Sequence, residues 1–71
     1  MDKEQLAATN LAIKKMGGIV KTSKKMGVTV AAVQFWRTRG VPKRRLRQVV
    51  ENTGIPGKKL RPDLYYAVFD F

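Results

Sequence analysis

Residues 22–36, Thr-Ser-Lys-Lys-Met-Gly-Val-Thr-Val-Ala-Ala-Val-Gln-Phe-Trp, leave few folds open to this chain. Gly27 takes the left-handed backbone conformation without a Cβ penalty, which suits the end of one helix and a sharp reversal. Thr29 is placed to cap the next helix by accepting a bond from a backbone N–H that otherwise lacks a partner. Ser23 is small enough for a second helix to approach closely. Val33 and Trp36, three residues apart, fall on one helical face and can close a core. The pattern predicts two short helices meeting at a glycine turn, a helix-turn-helix.

Seventy-one residues make one small domain, and 44% hydrophobic composition is enough for a compact core. Fifteen Lys and Arg against five Asp and Glu give a net charge of +10. The span from Lys14 to Arg61 holds fourteen basic residues and one acid, Glu51, for a net +13. Such a field attracts polyanions. Histidine is absent, and the acids Asp2, Glu4, Glu51, Asp63 and Asp70 stand singly or near the ends. That spacing offers neither a proton-transferring carboxylate pair nor a metal cage. Gly17-Gly18 alone is no phosphate loop. The chain reads as a binder, with no catalytic residue, metal or cofactor expected. The lack of cysteine suits a reducing cytoplasm, and Met-Asp-Lys-Glu-Gln lacks the order of a secretory signal. No apolar run approaches the roughly 20 residues that cross a bilayer.

The expected architecture is all-α, four to five short helices. Asp2 caps a helix over residues 3–16, with Leu6, Thr9, Ala12, Ile13 and Met16 as its buried stripe. Gly17-Gly18 ends it. A second helix over 19–26 turns Val20, Ser23 and Met26 inward and Lys21, Lys24 and Lys25 outward. A third covers 30–38. Pro42 opens a fourth, with Leu46, Val49 and Val50 apolar, which stops at Asn52-Thr53-Gly54. Ile55 is expected inside, and 56–60 forms one more turn. Residues 1–63 are read as the domain and 64–71 as a tail. Four of the six aromatic residues lie in the last seven positions. Tyr65, Ala67, Phe69 and Phe71 alternate with Tyr66, Val68 and Asp70, a period of two that predicts a C-terminal β-strand. Such a strand needs a partner. Either it pairs with a second copy through Tyr65, Ala67, Phe69 and Phe71 to give a homodimer, or it folds back onto the helices; disorder or a different protein partner are the remaining options.

The elements Gly17-Gly18, Gly27-Val28-Thr29, Trp36 and Gly40-Val41-Pro42, in this order, resemble the phage Cro-like and YdaS-antitoxin group of helix-turn-helix proteins. Thr53-Gly54 and Leu60-Arg61-Pro62-Asp63-Leu64-Tyr65 extend the likeness, which covers residues 11–65. The resemblance implies a lambda-repressor-like helical domain whose second motif helix enters the major groove. It further implies a bacterial or prophage transcription regulator, at work in the host cytoplasm and paired symmetrically on operator DNA.

In that setting Thr29, Val30, Ala31, Gln34 and Phe35 are the candidate base contacts. Gln34 suits two-pronged pairing with adenine, and Val30 and Ala31 suit a thymine methyl. Val30 has a competing reading, in which it packs inward against the second helix, and Phe35 one in which it is partly buried. Trp36 is read as a core anchor. Lys21, Lys24, Lys25, Arg37, Arg39, Lys43 and Arg44 are the candidate phosphate contacts, joined by Arg45 and the backbone N–H groups that open the second and fourth helices. Two further readings stay open. One is an antitoxin that holds operator DNA and grips a toxin protein with its tail; the other is a cationic membrane-active or general RNA-binding peptide. Mere cationic attraction has no need of Gly27, Thr29 and Trp36.

Overall fold

Asp2 starts the first helix as its short acidic side chain dictates: Oδ1 accepts from the Gln5 N–H at 2.7 Å. The computed structural model describes residues 1–67, with side chains through Leu64. Its elements are α1 (Lys3–Lys15), α2 (Ile19–Met26), α3 (Val30–Arg39), α4 (Lys43–Thr53), α5 (Gly57–Leu60) and α6 (Pro62–Ala67). No strand occurs among the described residues.

α1 is the spine, packed against α2, α3, α4 and α5. The core gathers Ala12, Ile13 and Met16 from α1, Met26 from α2, and Val33 and Trp36 from α3. Val41, Leu46, Val49, Ile55 and Leu60 complete it from the C-terminal half. Fully burying one such aliphatic side chain contributes roughly 1.5–3 kcal/mol, so the handful present is what a chain of this size depends on. Polar groups inside are matched. Thr9 Oγ1 donates to the Gln5 carbonyl at 2.8 Å, and Thr53 Oγ1 donates to Val49 O at 2.8 Å. Among the described residues, no buried side-chain nitrogen or oxygen lacks a partner.

The buried stripe expected on α1 is inside at Thr9, Ala12, Ile13 and Met16, but Leu6 lies at its edge, 36% exposed, and Ala8 is buried. On α2, Val20 is 55% exposed and Thr22 is buried in its place. Thr22 can occupy the core because its hydroxyl reaches the Ile13 carbonyl at the end of α1, at 3.4 Å. That bond removes the cost of an unpaired buried hydroxyl. Ser23 Oγ likewise donates to Val20 O at 2.7 Å, leaving a small, satisfied surface against α3.

The tail also departs from expectation. Where alternation pointed to a strand from Tyr65, the backbone is helical through Ala67. Pro62 supplies a first-turn residue with no N–H to lose, and Asp63 puts an acid at the positive end of the dipole. These local signals outweigh a period of two that only pays off where a neighbouring strand exists. The proposed dimer residues Phe69 and Phe71 lie outside the described residues.

Candidate nucleic-acid interface

The turn between α2 and α3 is built from backbone chemistry that a few residues specify. Gly27 ends α2 in the left-handed region, φ 69° and ψ 33°, and its N–H reaches back to Ser23 O. Val28 N–H donates to the same carbonyl at 3.0 Å. Thr29 is extended, and its Oγ1 accepts from Ala32 N–H at 3.0 Å, which satisfies one of the open donors of α3. α2 and α3 then pack on each other, and Met26, Val33 and Trp36 join the core, with Trp36 only 2% exposed.

Anchoring α3 through Val33 and Trp36 turns the flanking positions outward. Thr29, Val30, Ala31, Gln34 and Phe35 are all exposed. Phe35 is 55% exposed and so partly covered, with the Arg39 guanidinium 5.2 Å above its ring centroid. This cation–π contact steadies an otherwise bare phenyl face. Val30 is also on the exposed side.

The candidate cations fall into three groups. Lys21, Lys24 and Lys25 project from α2 and are exposed, as are Arg37 and Arg39 on the last turn of α3. Lys43 and Arg44 are exposed at the start of α4, and Arg45 is half-buried. Arg37 is steered by Asn10, whose Oδ1 accepts from its Nε at 3.1 Å. It faces an open cleft of about 520 Å³ that Lys14 and the Gly17–Ile19 turn also line. Asn10 escapes sequence reasoning because its partner is 27 positions away and nothing local marks it.

Arg61 is the basic residue whose setting is most structural. Nε and one terminal nitrogen fork onto the two Asp63 oxygens at 3.0 and 2.8 Å. The other terminal nitrogen donates to the carbonyl of buried Val41 at 2.6 Å. The guanidinium bonds hold the Asp63 carboxyl below the usual carboxylate range, and the carboxylate raises Arg61 in return. Arg61 therefore braces the loop after α3. Lys15 does similar work at the end of α4, donating from Nζ to Thr53 O at 3.3 Å.

The family described as bacterial toxin YdaS matches residues 9–69. The chain belongs to that family. No curated protein and no solved structure matches it. No helix among the described residues is long and apolar enough to cross a membrane.

Proposed function

We propose that this chain is a sequence-specific DNA-binding transcription regulator of the phage Cro-type repressor class. α2 and α3 act as a helix-turn-helix, with α3 in the major groove. The reading is carried by one observation: a helix locked from behind by Val33 and Trp36 presents Thr29, Val30, Ala31, Gln34 and Phe35 to solvent, amid cations on α2, α3 and α4. A groove about 12 Å wide admits such a helix. Gln34 pairs with an adenine edge, Val30 and Ala31 meet thymine methyls, and Lys21, Lys24, Lys25, Arg37, Arg39, Lys43 and Arg44 bind phosphates. The protein acts by binding, not catalysis, and two copies occupy half-sites about 34 Å apart.

A gel-shift comparison of operator and random duplexes, with the operator first selected from a random pool, tests the assignment. Gln34→Ala should lose discrimination at one or two base pairs, while Lys24→Ala should weaken all duplexes alike. Binding should fall with salt on a log–log slope of about −0.9 per neutralised phosphate. Equal losses for both variants on both duplexes would refute the roles, and a flat salt response would refute the electrostatic basis.

The match to a family described as a bacterial toxin is compatible with a second reading set in a toxin–antitoxin pair: an antitoxin that autoregulates its operator and binds a toxin protein through its tail. Removing residues 66–71 separates the two, since only the antitoxin loses a heteropartner while keeping its operator.

A further inference from the structure

A groove of about 810 Å³ runs between the outer face of α1 and the segment that joins α4 to α5. Its floor is apolar, with Ala7 and Leu11 on one side and Ile55 on the other. Leu11 is 47% exposed there. The rims carry opposite charge. Glu4 stands on the α1 side, Lys58 and Lys59 on the α5 side.

The allocation of acids makes this arrangement informative. Among the described residues, Glu51 pairs with Arg47 at 3.3 Å, Asp63 pairs with Arg61 at 2.8 Å, and Asp2 caps α1. Glu4 has no ion-pair partner among those residues, and neither has Lys58 or Lys59. Among the described residues Glu4 is thus the acid left without an ion pair or a capping role, and it lines the same groove as two lysines that are also without ion pairs.

We propose that this groove is the contact surface for a second copy of the chain. A two-fold axis laid along the groove sets the acidic rim of each copy over the lysine rim of its partner. The same rotation brings Leu11 of both copies to the centre. An axis across the groove would stack Glu4 on Glu4 and lysines on lysines, so charge selects one orientation. The pairing uses none of the residues assigned to DNA, and it stands or falls independently of that assignment.

Sedimentation of the full chain over a concentration series at about 0.15 M salt, where the long-range repulsion between two chains of charge +10 is screened, tests the surface. The wild type should dimerise without DNA. Glu4→Lys, and separately the pair Lys58→Glu with Lys59→Glu, should each weaken self-association about ten-fold, because every dimer loses two sets of rim pairs. Mixed in equal amounts, the two variants should form a heterodimer at wild-type strength, since each reversed rim then meets its opposite. Leu11→Glu should abolish dimerisation, while circular-dichroism melting checks that each variant remains folded. A monomeric wild type, a Glu4→Lys variant that associates normally, or a mixture with no recovery would each overturn the proposal. So would a dimer that survives these changes and is lost on removing residues 68–71, which would assign pairing to the tail.

Discussion

Arg61 shows how much one side chain can hold. It joins a buried carbonyl at the α3–α4 loop to a carboxylate on α6, a span of 20 positions on one side and two on the other. Replacing it with alanine leaves the Val41 carbonyl without its donor, and about 1–3 kcal/mol of stability should go. Asp63→Asn should cost less than about 1 kcal/mol, because that carboxylate is largely solvated. The pH dependence has a definite sign. A carboxyl lowered in the folded state contributes fully above its unfolded value, about 3.9, and the contribution fades as pH falls through the lower native value. Urea unfolding from pH 7 to about 2 should show this acid slope in the wild type and a shallower one in Asp63→Asn. Gly40 is the second such residue. Its φ is +88°, and an added Cβ would stand 2.8 Å from Gln5 Nε2 and 3.0 Å from Arg61 Cδ. Gly40→Ala should destabilise by about 1–3 kcal/mol in the same assay, the cost of a backbone region that side chains avoid.

Single helices are set by capping more than by composition. α3 has a weakly amphipathic sequence, so its start depends on Thr29. Thr29→Ala removes the acceptor for Ala32 N–H and should cost about 0.5–2 kcal/mol in thermal or urea unfolding. Thr29→Ser or Thr29→Asp should restore most of it. The bounds of α1 to α4 were largely legible in the chain, since Asp2, the Gly17-Gly18 pair, Gly27, Thr29 and Gly54 act within a few residues of themselves. The outward face of α3 was legible in part: Val33 and Trp36 three apart mark its buried side, while Val30 and Phe35, at the edge of that stripe, needed the fold to place them. Single exceptions on the buried faces were harder. Val20 is a better hydrophobe than Thr22, yet the threonine is inside because the Ile13 carbonyl meets it, and Leu6 is left at the edge of α1.

The whole molecule is small, about 32 × 22 × 17 Å, and carries a net charge of +10. Charges of one sign lie within a few Debye lengths of one another throughout, which works against the compact state. Added salt should therefore raise the melting temperature of the free protein from about 0.02 to 0.3 M while weakening its hold on DNA. Opposite salt responses of one chain, read by circular dichroism and by gel shift, would show that the same cations oppose folding and drive binding. A melting temperature independent of salt would mean that the positive groups are too well spaced to repel.

The chain by itself determined the class of fold, the positions of the first four helices and the strongly cationic character. Those follow from interactions between residues three or four apart and from a simple sum of charges. Tertiary structure decided that Thr22 and not Val20 is buried on α2, that Arg61 braces Val41 and that Asn10 steers Arg37. Each of those outcomes depends on groups 9 to 27 positions away in the chain. No local pattern of side chains carries that information.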